Sequence, residues 1–305
     1  MQPIRRRYSL TNNFTLLLMG APALLLLLVF NYLPMMGIVI AFKDFHFDKG
    51  IWGSDWVGLK NFEFFFTSDN AWRVTRNTLL LNAAFIVTGT SLTVILALML
   101  FELGQRAVKL YQTILFFPYF LSWVVVSYSV YALLSGDYGA VNGLLGHFGI
   151  EPVLWYSEPK YWVGILIFAN FWKFGGYYML LFYTNLMGID TSLYEAAAID
   201  GASKLQQVRH ISIPMLTPLI IMLTLLSIGR IFYSDFGMFY FLPKDSGALY
   251  PVTDVIDTYV YRALRNTGEI GMAAASGFYQ SVVGFVLIFA SNLLVKKTNP
   301  ENAIF

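Results

Sequence analysis

The stretch Glu195-Ala196-Ala197-Ala198-Ile199-Asp200-Gly201-Ala202-Ser203-Lys204, EAAAIDGASK, decides how the rest of the chain is read. It runs on as LQQVRHISIPMLTP and enters a long apolar segment. A plain connector needs only a few turn residues. This one carries strong helix formers in Glu195, Ala196, Ala197 and Ala198. Ser192 and Glu195 fit an S-x-x-E capping box, so a helix is expected to begin there. Gly201 permits a bend or a close backbone approach. Ala198, Ala202, Leu205 and Val208 recur at helical spacing as one apolar stripe. Ser203, Lys204, Gln206, Gln207, Arg209 and His210 face elsewhere. Pro214 and Pro218 suit the entry to a further helix. On the residues alone two readings stand level: a helix–bend–helix shaped for a partner, or an amphipathic connector lying on a membrane.

Composition makes the surroundings membrane. Hydrophobic residues are 57% of 305 and charged residues 12%, against about 25% charged in a soluble chain. Mean hydropathy is +0.60. Aromatic residues reach 17%, as membrane interfaces favour. The absence of cysteine excludes disulfides, thiolate catalysis and cysteine metal sites. His46, His147 and His210 lie far apart, in no metal-ligand spacing.

Apolar runs of about 20 residues cross a bilayer as helices. Such runs predict six spans: Phe14–Phe42, Thr78–Phe101, Tyr111–Ser135, Tyr161–Met187, Met215–Phe241 and Met272–Val295. The second, third and sixth read as uninterrupted. The first follows Arg5-Arg6-Arg7 but is too long for a signal peptide, and no small-x-small cleavage site follows it promptly. The expected fold is therefore an all-α membrane protein. Residues 1–13 form an N-terminal segment, 14–295 a membrane domain with the EAA loop at 190–214, and 296–305 a tail. Lys and Arg are equally numerous on the two sides. They are denser on the side of Arg5-Arg6-Arg7 and Lys296-Lys297, which places both termini and the EAA loop in the cytoplasm. Gly271 with Ala275, and Gly277 with Ser281, form small-xxx-small pairs suited to close helix contact.

Catalytic signatures are missing from the sequence. It has no G-x-x-x-x-G-K-[ST] phosphate loop, no H-E-x-x-H and no G-x-S-x-G. Asp235 is the one acid inside a predicted span, and a proton-coupled carrier ordinarily carries more. Two cations lie inside spans: Lys173 in the fourth and Arg230 in the fifth. Each costs about 2.5–3.5 kcal/mol near the bilayer centre, so each should meet a partner or a wet cavity. Asn170, Trp172, Tyr177, Tyr178, Tyr233 and Tyr240 surround them in sequence. Aromatic faces beside amides and hydroxyls suit sugar rings, and equally suit ordinary packing. A structural ion pair across helices is the alternative role for the two cations.

The pattern E-A-A-x-x-D-G-A followed by I-x-I-P, carried by Glu195, Ala196, Ala197, Asp200, Gly201, Ala202, Ile211, Ile213 and Pro214, resembles the EAA loop of inner-membrane permeases of binding-protein-dependent ABC importers. The IDGAS flank is similar to that of the carbohydrate branch. The segment Ser227–Gly277 resembles the oligosaccharide and polysaccharide-fragment permeases more than the monosaccharide ones. The resemblance extends over the six-span pattern from Phe14 to Lys297. Leu205 and Val208 stand where sugar permeases often have aromatics, and Thr191 replaces a common proline.

The resemblance implies a type I ABC importer permease fold with a cytoplasmic coupling-helix loop. Glu195, Ala196, Ala197, Asp200, Gly201, Ala202 and Leu205 would engage an ATPase. It implies a second, homologous permease (a heterodimer), two ATPase subunits that hold ATP and Mg, and an extracytoplasmic solute-binding protein. It implies no cofactor and no catalysis in this chain, no nucleic-acid partner, and a bacterial inner-membrane location. The substrate would be an oligosaccharide moved by alternating access. Arg230, Lys173, Asn170, Trp172, Tyr177, Tyr178 and Tyr233 are candidates for its pathway. The two cations point to a uronate oligomer, such as an alginate or pectin fragment, as one substrate class. An ion-coupled secondary transporter and a non-transporting membrane scaffold are the competing readings.

Overall fold

The computed structural model describes residues 10–136, 138–298 and 300–303. The Arg5-Arg6-Arg7 cluster lies outside the described residues. Helix α1 (Leu10–Leu27) continues through a π turn (Leu28–Tyr32) into a 3-10 stretch (Leu33–Phe42). The π turn lies just before Pro34, where a regular helix would clash with the proline ring. A two-stranded hairpin follows, β1 (Lys43–Asp44) antiparallel to β2 (Asp55–Trp56). Then come α2 (Asp69–Phe101), α3 (Gln105–Phe116), α4 (Trp123–Leu134) and α5 (Trp162–Met187). The EAA stretch holds α6 (Thr191–Ile199) and the start of α7 (Lys204–Gly229). Short α8 (Phe236–Phe241), amphipathic α9 (Ile256–Thr267) and long α10 (Ile270–Thr298) complete the fold.

Five of these helices are long and apolar enough to span a membrane, and the bent pair α3–α4 makes up to six. The all-α membrane architecture expected from the sequence is observed, with five spanning helices and a sixth where the bent pair counts as one span. Helices α2 and α5 share the most extensive contact. They carry two separate apolar clusters. Leu81, Trp162 and Leu166 meet Trp123, Val126, Met238 and Leu242 in one. Ala97, Leu100, Met179, Phe182 and Leu186 meet Val108 and Leu216 in the other. The space between the clusters is where the cavity described below sits. The first span contributes none of this core, because its apolar window is wholly unburied.

Two spans differ from expectation. The third is not uninterrupted. It starts at Gln105, runs through a 3-10 turn (Phe117–Phe120), and turns by 101° before Trp123. Pro118 cannot donate to the helix ladder, and the Ser122 hydroxyl caps the new helix by accepting from Val125 N at 3.3 Å. The fifth is also two helices. Helix α7 ends at Gly229 and α8 begins at Phe236, so Arg230 is a helix C-cap rather than a mid-span residue.

Close approaches fix how these pieces meet. A Cβ on Gly176 of α5 would lie 2.0 Å from the Leu115 carbonyl oxygen of α3. A Cβ on Gly284 of α10 would lie 2.6 Å from the Gly229 oxygen. Of the expected small-residue pairs, Gly271 fits tightly against Asn61 and Ala275 is buried, whereas Gly277 has open space around it.

Candidate functional site

Two regions carry functional groups. The first is the EAA loop. Helix α6 starts from Asp190, whose carboxylate accepts from Ser192 N at 3.0 Å. The expected Ser192–Glu195 capping box does not form, because Asp190 already occupies the cap position. The hydrogen bonds from Ser192 hold the Asp190 carboxyl below the usual carboxylate range. The helix ends with Ala202 N donating to Ala197 O (2.9 Å) and Gly201 N to Ala198 O (3.1 Å). That pairing is a Schellman motif, with Gly201 at φ +78° supplying the left-handed residue. Ser203 then opens α7 in a capping box with Gln206.

The loop is thus a helix–turn–helix, as the residues led one to expect, with the turn at Asp200–Ala202. Its apolar stripe is not continuous. Ala198 and Leu205 are exposed, Ala202 and Val208 are half-buried, and Gln207 is buried. The Schellman turn separates the two halves of the stripe and rotates them apart. Ile199, at 87% exposure, and Leu205, at 77%, stand out at the tip. Ile199 was not among the expected contact residues. An exposed isoleucine next to a polar turn was its only signal. Glu195, Ala196, Asp200 and Gly201 are exposed, and Ala197 is half-buried. The loop is fastened from behind: Tyr194 Oη lies 3.0 Å from Ser212 Oγ, and Lys204 pairs with Glu102 at 2.9 Å.

The second region is a cavity of about 280 Å³ between the two apolar clusters. Its polar lining comes from Asn82, Thr90 and Thr93 of α2, Asn170 and Tyr178 of α5, Ser227 of α7, and Arg230 and Asp235 beyond it. Asn170, Tyr178 and Arg230 of the expected pathway residues therefore come together. Asn82, Ser227 and the two threonines were missed; a lone Asn82 in the run LLLNAAF was the available sign.

The unwound segment between α7 and α8 is clasped by distant side chains. Asn82 Nδ2 donates to Ile231 O at 2.7 Å, and Gln280 Nε2 donates to Phe232 O at 2.7 Å. Ser234 N donates to the Asp257 carboxylate at 2.9 Å. Asp235 caps α8 through Met238 N and accepts from Trp123 Nε1 at 2.6 Å. With its broken backbone satisfied in this way, the segment presents the exposed Arg230 side chain to the cavity.

Lys173 is placed differently from expectation. It is 6% exposed and does not line the cavity. Its ammonium donates to the carbonyls of Tyr119 (3.2 Å) and Leu121, where α3 ends and leaves acceptors without helical partners. It also lies 5.3 Å from the Trp123 ring. This is a cation at a helix C-terminus, where the dipole favours it. Trp172, Tyr177 and Tyr233 lie outside the cavity as well. Tyr177 stacks on Tyr119 at 4.9 Å, and Tyr233 Oη lies 2.6 Å from Ser281 Oγ. Tyr240 stacks on Phe236 at 5.1 Å.

Residues 89–300 match the family described as "Binding-protein-dependent transport system inner membrane component". Protein LplB of Bacillus subtilis (strain 168) is 34% identical over 287 residues, covering 94% of this chain and 90% of its own. The polygalacturonan/rhamnogalacturonan transport system permease protein YteP of the same organism is also 34% identical over 287 residues, with 94% and 89% covered. Among solved structures, a chain of a bacterial ABC transporter involved in the import of the acidic polysaccharide alginate superimposes with a TM-score of 0.86. It is 30% identical, with 95% of this chain and 97% of that chain covered.

Proposed function

This chain belongs to the family of binding-protein-dependent transport system inner membrane components, and on that premise we propose that it is the permease subunit of an ATP-driven oligosaccharide importer. Family membership removes the secondary-transporter and scaffold readings. The observation that carries the proposal is the EAA loop: a capped helix–turn–helix, fastened from behind, that offers Ile199 and Leu205 outward on one face of the membrane domain. Such a device transmits force to a partner that binds ATP and Mg. The partners are two ATPase subunits, a second permease and an extracytoplasmic binding protein. The alginate importer also has a solved structure in complex with an alginate pentasaccharide-bound periplasmic protein. Both termini and the EAA loop face the cytoplasm, and the chain resides in a bacterial cytoplasmic membrane.

The substrate class follows from the cavity and from the relatives. Arg230 reaches a largely apolar cavity dotted with polar groups and has no ion-pair partner among the described residues. A guanidinium so placed matches a carboxylate. YteP and the alginate importer are both named for transport of acidic polysaccharides. We therefore assign uronate-containing oligosaccharides as the cargo, with Arg230, Asn170 and Tyr178 as first contacts. Lys173 supports the bend beside them.

The test is uptake into proteoliposomes holding the permease pair, its ATPase and the binding protein. ATP-dependent uptake of oligogalacturonate or oligoalginate is expected. Glu195→Lys and Gly201→Asp should insert normally yet fail to retain the ATPase on purification. Full retention in both variants would refute the role of the loop. Uptake that persists without the ATPase would refute the importer itself.

A further inference from the structure

The turn after α8 contains the only non-glycine residues with positive φ among those described: Lys244 at 55° and Asp245 at 49°. Such backbone is costly and persists where surrounding contacts over-determine it. Asp245 is held in place by Arg262 Nη1 at 2.8 Å and by Tyr250 Oη at 3.0 Å. Lys244 is held otherwise. Its ammonium lies 3.5 Å from the centroid of the Tyr131 ring and 5.6 Å from that of Tyr128. Both tyrosines are exposed, and so is Lys244. None of the ion pairs among the described residues includes Lys244.

The location gives this cluster its meaning. Helices α4 and α8 are joined at the cavity end by the Trp123–Asp235 hydrogen bond, and Asp235 and Met238 line the cavity. At the other end they are joined by Lys244 on Tyr131. From Trp123 to Tyr131 an α-helix rises roughly 12 Å. Tyr131 packs on Tyr156 at 5.4 Å and Tyr156 on Trp162 at 5.1 Å, at the start of α5, whose other end leads into the EAA loop; this end therefore lies on the face opposite that loop. Lys244 therefore stands on that outer face, about 12 Å along α4 from Trp123, which bonds the cavity-lining Asp235.

We propose that Lys244, with Tyr131 and Tyr128, forms an entry subsite for the carboxylate of a uronate residue. The ring below steers the ammonium and leaves its remaining protons facing outward. The exposed tyrosine faces supply stacking for the sugar ring. This subsite rests on the acidic-oligosaccharide reading above.

The test compares wild type with Lys244→Ala, Lys244→Arg and Tyr131→Leu in proteoliposomes with the complete importer, using oligogalacturonate and oligoalginate as probes. Lys244→Ala should raise the KM for uptake about three- to fivefold, the scale of one solvent-exposed charge pair. Lys244→Arg should restore it, and Tyr131→Leu should raise it to a similar degree. Binding-protein flotation with the vesicles and thermal stability should not change. An unchanged KM in Lys244→Ala, while wild type imports uronates, overturns the subsite and leaves the substrate reading intact. Loss of binding-protein flotation overturns it in favour of a docking contact. Lowered stability without rescue by arginine overturns it in favour of a structural latch. Wild-type vesicles that import neutral oligomers and no uronate overturn the acidic-substrate reading itself.

Discussion

Replacing Lys173 with methionine separates a pathway cation from a structural one. The side chain keeps its length and apolar bulk but loses its donors. In the wild type the ammonium satisfies the carbonyls of Tyr119 and Leu121 at the end of α3. A hydrogen bond involving a charged group contributes about 1.5–3 kcal/mol. Against that stands the cost of keeping a cation 94% buried, which methionine removes. The net loss should be about 2–4 kcal/mol, or roughly 3–6 °C in melting temperature for a domain of this size. The assay is thermal unfolding of the purified assembly in nanodiscs, paired with KM for uptake. A clear fall in melting temperature with an unchanged KM is expected. An unchanged melting temperature with a raised KM would refute the reasoning and return Lys173 to the sugar path.

Other perturbations address other joints. Trp123→Phe keeps the ring against Gly237 but removes the donor to Asp235; a destabilisation of about 1–3 kcal/mol should appear in chemical denaturation. Arg230→Gln should raise the uptake KM for oligogalacturonate by about tenfold or more, as loss of a charge-assisted hydrogen bond does, with assembly intact by size-exclusion chromatography. Gly176→Ala would drive a Cβ into the Leu115 carbonyl, so limited proteolysis should cut the α3–α4 region far faster than in wild type.

The legibility of the fold in sequence follows from solvent physics. Apolar length alone located the spanning runs, because lipid demands it, but not the breaks inside them. The EAA turn was equally readable, since Gly201 and Ser203 are local signals that act within a few residues. The bend in the third span was not anticipated, although Pro118 and Ser122 sit at it. Hydropathy averages over such residues and registers only greasiness. The fifth run failed for the same reason: Arg230 and Asp235 mark a helix end, yet their neighbours are apolar enough to mask it. The role of Lys173 lay beyond local reading altogether. Its acceptors are more than fifty residues away, and only the α3–α5 crossing brings them together. The cavity was partly legible, through Asn170, Tyr178 and Arg230. Its α2 side was not, because Asn82 and Thr93 are unremarkable until the neighbouring helices are placed.

The bend between α3 and α4 also carries a consequence for the order of synthesis. A chain emerging from the ribosome makes Tyr119 and Leu121 well before Lys173. Until α5 enters the bilayer, those carbonyls have no ammonium to meet, and a sharply turned segment facing lipid is unfavourable. Pro118 and Ser122 set the turn locally, but its carbonyls stay without the Lys173 ammonium until α5 enters, so the turn should be held at a protein-lined insertion site until then. Truncation just before Trp162 should leave a nascent chain that proteases of the membrane recognise, whereas truncation after Met187 should leave the turn already closed.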